Sequence, residues 1–214
     1  MKIYTNIFER IISLENLFLA WEEFKRDKLK KPDVLEFEHN LEQNIFQLNR
    51  DLVNKVYKHG KYTSFYISDP KPRHIHKAEV RDRVLHHAIF QILNPIFEPT
   101  FISTSFSCRI GKGTHKGVRA LANFIRKKSK NNRLSCFVLK CDIKKFFDSV
   151  DHKILKSIVA KKIKDQDALW LINEVINSYS TSTAIILERE QFPVSARYPN
   201  WQFDLTIIRQ CIYE

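Results

Sequence analysis

Residues 136–152 read CFVLKCDIKKFFDSVDH, and the fold class turns on them. Phe137, Leu139, Cys141 and Ile143 alternate with Val138, Lys140 and Asp142, which is the period of a strand. Phe146 and Phe147 follow, and Asp151 stands where a helix N-cap belongs, ahead of the apolar positions Ile154, Leu155, Ile158 and Val159. The stretch predicts a buried strand ending in a carboxylate, a turn over two aromatics, and a helix. An isolated Asp in such a place most often caps a turn. The flanking sequence decides whether Asp142 does more.

The chain has 214 residues, enough to bury a sizeable core in one large domain or two small ones. Lys and Arg total 36 against 24 Asp and Glu, a net charge of +12. That excess points to a polyanionic partner, nucleic acid before membrane, since no apolar run of about 18 residues and no basic amphipathic anchor is present. Glu9, Arg10, Glu15 and Asn16 break the stretch from Ile3 to Leu19, so no signal peptide is read there. Cys108, Cys136, Cys141 and Cys211 show no C-x-x-C spacing, which predicts reduced thiols in a cytoplasmic protein. Their spacing to His74, His76 and His115 does not match a zinc site.

Ser13 predicts the cap of a helix to about Lys30, with Leu14, Leu17, Phe18, Trp21 and Phe24 on its apolar face. A second helix restarts at Pro32 and carries Val34, Phe37, Leu41, Ile45, Leu48, Leu52 and Val56 inward until Gly60 stops it. YTSFYIS and RHIHKA then predict a hairpin, joined through Asp69-Pro70-Lys71-Pro72. A third helix runs from about Val80 to Leu93, ended by Pro95 and Pro99. The loop FISTSFSCRIGKGTHKG holds three of the four glycines, and freed amides beside Arg109, Lys112 and Lys116 suit a phosphate-lined surface. It opens a helix with Val118, Leu121, Ala122 and Ile125 inward and Arg119, Arg126, Lys127 and Lys128 outward. Two further helices are predicted at about His152–Lys162 and Asp167–Tyr179, the latter with Leu169, Ile172, Val175 and Ile176 inward.

Three blocks now stand in order: PKPRHIHKAEVRDRVLHHAI, SFSCRIGKGTHKGVRAL and KCDIKKFFDSVDH. Over about residues 11–182 the chain resembles the reverse transcriptases of bacterial retroelements, in the group II intron and diversity-generating branch. The resemblance implies an α+β fold, a right-hand polymerase's fingers and partial palm preceded by a helical N-terminal region. It divides the chain into a helical region at 1–60, fingers at 61–135, a partial palm at 136–182 and an aberrant tail at 183–214. Two-metal nucleotidyl transfer needs carboxylates that hold two cations about 4 Å apart from rigid strand ends. The resemblance implies Asp142 as the catalytic, metal-binding aspartate and the main-chain carbonyl of Ile143 as its companion ligand. It implies Phe147 beneath the sugar, and Arg73 with Lys71 on the incoming triphosphate. Mg²⁺ is the implied cofactor of the full-length enzyme. The implied partners are an RNA template, a DNA or RNA primer, deoxynucleoside triphosphates and an accessory nucleic-acid-binding protein, with no membrane.

The family's remaining carboxylates sit in a Tyr/Phe-x-Asp-Asp hairpin, and the chain has none. One carboxylate cannot hold two divalent ions against their repulsion, so the chain as given is expected to be inactive. Its last residues also match nothing in the family. Codons for Arg197 to Glu214, read one base later, permit GIPIGNLTSQLFANVYM, which resembles the family's next block. The expectation is a slipped reading frame between about Ser182 and Arg197, decided by the nucleotide sequence. A truncated palm further predicts helix faces at Ile154/Ile158 and at Ile172/Ile176 without a partner, and an aggregation-prone C-terminal half. The function expected is a reverse transcriptase fragment; the alternative is a non-catalytic RNA-binding remnant, with salt-dependent RNA binding but no incorporation.

Overall fold

Helix α1 (Phe8–Ile12) and helix α2 (Leu14–Phe24) meet at Ser13, whose Oγ accepts from the Asn16 amide at 3.2 Å. A computed structural model describes residues 2–68, 72–107, 109–142 and 150–179, without the Arg73 side chain. Helix α2 ends six residues earlier than its apolar pattern predicts, at Phe24, in a turn where Asp27 takes a positive φ. The second predicted helix is two: α3 (Pro32–His39) and α4 (Leu41–Val53), broken at Asn40. The apolar period runs straight through that break, which is why the sequence hides it. Helix α4 stops at Val53, where Lys55 takes the left-handed conformation, so Val56 is exposed rather than inward.

Strands β1 (Thr63–Ser68) and β2 (Pro72–Lys77) pair antiparallel, with Tyr66 opposite His74 and Phe65 opposite Ile75. Helix α5 (Val80–Phe97) continues through Pro95, where the sequence predicts its end. Proline forfeits one backbone bond there, and burial of Ile96 and Phe97 in the core holds the last turn. A 3₁₀ turn follows at Glu98–Thr100. Helices α6 (Thr114–Lys128), α7 (His152–Lys162) and α8 (Gln166–Ser178) complete the described elements. The described residues are mixed and mostly helical, with a small two-stranded sheet, which is compatible with the α+β class.

Three expectations fail here. Residues 135–142 form no strand, and Phe137 and Leu139 are 98% and 87% exposed where a buried strand was predicted. A lone apolar segment has no ladder of its own; it becomes a strand only where a neighbour supplies one. The predicted inward face of α6 is likewise open: Val118, Leu121 and Ala122 are exposed, and no residue of the helix is buried. The α8 face at Ile172 and Ile176, by contrast, is not left without a partner, whereas Ile154 on α7 is exposed. Val159, Ile163, Ala168, Leu171 and Ile172 belong to the same core as Ile7, Leu17, Trp21, Leu48 and Leu85, with Ile176 packed against it.

Asp165 makes that junction. Its Oδ1 accepts from the amides of Asp167 and Ala168, capping α8, at 3.1 Å each. Its Oδ2 accepts from the amides of Ile7 and Phe8 at 2.7 and 2.9 Å, capping α1 from 158 and 157 residues away. Alongside it, Tyr4 exchanges backbone bonds with Lys162 and Lys164 at 2.8 and 2.9 Å. Burial opposes the charge, but the amides of Phe8, Ala168, Ile7 and Asp167 outweigh it and hold the carboxyl below its ordinary range.

Candidate nucleic-acid interface

The hairpin is set on the core by a buried polar network. Asp82, on the first turn of α5, is fully buried and accepts from Tyr57 Oη at 2.7 Å and the Gly60 amide at 2.8 Å. Burial first, then the Asp82 carboxylate, pushes the Tyr57 phenol far above its usual range, so it stays a donor. His59 Nδ1 lies 2.8 Å from the Gly60 carbonyl, an acceptor only, and so carries the proton. Its Nε2 then accepts from His86 Nε2 at 3.2 Å, and His86 Nδ1 is left buried without a hydrogen-bond partner. Burial, with His59, His87 and Arg83 nearby, lowers the His86 pKa to about 3.

The network continues into the hairpin. Ser178 Oγ donates to the Val175 carbonyl at 2.7 Å, so Tyr62 Oη donates to Ser178 Oγ at 3.0 Å. The Tyr62 ring stacks on His59 with centroids 4.9 Å apart. On the other side Lys77 and Arg83 both reach Asp33 Oδ2 at 2.7 Å, tying β2 and α5 to α3. Partial burial works against the Asp33 charge, but Lys77 and Arg83 hold its carboxyl below the ordinary range. The sequence does carry a signal for this network: Asp82, His86, Ile89 and Leu93 share the buried face of α5. A charged and a titratable residue on a core stripe call for partners.

Arg73 lies in β2 opposite Ile67. Lys71, Ile143, Phe147 and the tail at 183–214 lie outside the described residues. Asp142 is exposed and belongs to no strand. Among the described residues no three His, Cys, Asp or Glu side chains converge as a metal site. Arg109 faces inward onto its own loop: it binds Glu98 Oε1 at 2.8 Å and the carbonyls of Ile102 and Ser105 at 2.9 and 3.1 Å. It therefore shapes the loop. Lys112 reaches the Ser103 carbonyl at 2.6 Å and lies over Phe106, and Lys116 reaches the Gly111 carbonyl. Gly111 and Gly113 have φ of 72° and 87°, values that favour glycine and let the loop turn into α6. Along α6 the exposed Arg119, Arg126, Lys127 and Lys128 leave cationic groups in solvent.

The basic loop and α6 hold cationic side chains in solvent, the kind of charge that a polyanion would meet. About half the chain is distantly similar to two intron proteins. A 98-residue stretch, 46% of the chain, is 30% identical to an uncharacterized 91 kDa protein in the cob intron of Schizosaccharomyces pombe, covering 11% of that protein. A 109-residue stretch, 50% of the chain, is 30% identical to Nuclear intron maturase 1, mitochondrial, of Arabidopsis thaliana, covering 14% of it. Protein YkfC of Escherichia coli is 24% identical over 111 residues, 52% of the chain and 29% of YkfC. No protein-family profile matches the chain. The chain thus spans between 11% and 29% of the length of these relatives. Among the described residues no helix is long and apolar enough to cross a membrane.

Proposed function

We propose that the chain is a portion of a reverse-transcriptase-related intron protein whose part is to bind RNA. The observation that carries this reading is the similarity, over about half the chain, to two intron proteins, one of them a maturase. The net charge of +12 and the solvent-facing Arg126, Lys127 and Lys128 support it. In the full-length protein, the finer proposal is RNA-directed DNA synthesis. There Asp142 and the Ile143 carbonyl would hold Mg²⁺ with carboxylates from outside this chain, Arg73 and Lys71 would take the triphosphate, and Phe147 would meet the sugar.

A second reading, RNA binding without chemistry, is favoured by the exposed, strand-free setting of Asp142. One experiment separates them. RNA affinity of the chain should fall with salt, with a logarithmic slope of about −0.7 per phosphate contact. Replacing Arg126, Lys127 and Lys128 by Ala should flatten that slope by roughly 2, from three lost contacts. Salt-independent binding refutes the RNA reading. Deoxynucleotide incorporation by the full-length protein, lost in Asp142→Ala, supports the polymerase; RNA binding with no incorporation leaves the second reading.

A further inference from the structure

The hairpin's two faces are chemically different. Alternation places Ile75 and Lys77 on one face, and Lys77 is tied down by its ion pair with Asp33. The other carries Ser64, Tyr66, His74 and His76. Tyr66 and His74 stack flat, with centroids 4.4 Å apart and planes 15° from parallel. His74 meets His76 edge-on at 4.3 Å, and His76 meets Tyr179, just past α8, at 5.8 Å. The row of rings is thus braced at its inner end by the body of the protein and opens into solvent at its outer end. Tyr66 is 75% exposed even though His74 covers one side of its ring.

A cross-strand ring pair stabilises a hairpin, and that alone explains many such pairs. Here the outermost ring remains uncovered, and its neighbours along β1 on that face are Ser64 and Ser68. An apolar peptide gains little from a single flat ring among hydroxyls. An unpaired nucleobase gains a stacking partner, and a chain of net charge +12 attracts its phosphates. A duplex cannot use the site, because its bases are already stacked on each other.

We propose that Tyr66, backed by His74, is a stacking platform for an unpaired base of single-stranded RNA. This rests on the RNA-binding reading above, and it is separate from the triphosphate role proposed for Arg73, which has the opposite strand parity. The test uses the whole chain with a single-stranded RNA of about 12 nucleotides, within the range such sites span, and a blunt two-stranded RNA duplex of equal length, which has no unpaired base. Tyr66→Ala should weaken single-strand binding at least about five-fold and leave the blunt duplex within about two-fold; Tyr66→Phe should retain both. A 2-aminopurine in the single strand should be quenched on binding the natural chain and not on binding Tyr66→Ala. Unchanged single-strand affinity in Tyr66→Ala, with weakened affinity in the Arg126/Lys127/Lys128 variant, overturns the platform and leaves RNA binding standing. Equal losses on both RNAs with a lowered melting temperature assign Tyr66 a structural role and overturn it too. No binding to either RNA overturns both proposals.

Discussion

Replacing Asp165 by Ala should detach the two ends of the core from each other. The carboxylate accepts four backbone amides, two from α8 and two from α1. Losing one N-cap costs about 1 kcal/mol, within a range of roughly 0.5–2. Two helix starts are capped here, and hydrogen bonds to an ionised acceptor are stronger than neutral ones. The expected loss is therefore about 2–4 kcal/mol, a large share of the 5–15 kcal/mol typical of a folded protein. Urea unfolding of the whole chain measures it. With a slope of roughly 2 kcal/mol per molar, the midpoint should fall by about 1–2 M. Asp151 supplies the control, since its Oδ1 caps only α7, through the amides of Lys153 and Ile154. Asp151→Ala should cost about half as much. The pH dependence has a definite sign. A carboxyl held below its unfolded value stabilises the fold above that unfolded value, and the contribution is lost as pH falls through the lower, folded one. The gap between natural chain and Asp165→Asn should therefore be flat from pH 8 to about 5 and close only below about 4. An Asp165→Ala midpoint no lower than that of Asp151→Ala would refute the bridging argument.

Two further outcomes follow from the buried network. His86 is neutral in the fold with a pKa near 3, while an unfolded histidine titrates near 6.5, so the unfolded state binds the extra proton between those values. Stability should fall with decreasing pH from about 6.5 toward 3, by up to about 1.4 kcal/mol per pH unit, and His86→Gln should flatten that slope in urea titrations at pH 7.5, 6 and 5. Gly60→Ala should lower stability by about 1–3 kcal/mol, because its Cβ would stand 2.9 Å from Asp82 Oδ2 inside the network and 2.7 Å from the Glu79 carboxyl carbon. Calorimetric melting checks it, and an unchanged melting temperature counts against a tight fit at residue 60.

What the sequence by itself determined were the features closed within a few residues. Ser13 and Asp151 cap the helices that follow because an N-cap bonds amides two or three positions on. The hairpin was legible from its alternation and its Pro-containing turn, and the inward faces of α2 and α4 from their spacing. Tertiary structure decided everything that needs a partner from far along the chain. The sequence starts the last helix at about Asp167, and only the packed fold makes Asp165 the cap of two helices. Asp82, His59 and His86 become a network because the 57–60 segment folds back on α5, and Arg109 becomes a loop brace because Glu98 is there to meet it. The same dependence explains the failures at Phe137–Asp142 and along α6. Alternation and amphipathicity say which side of a segment could be buried, but burial itself requires a second surface to supply the contacts.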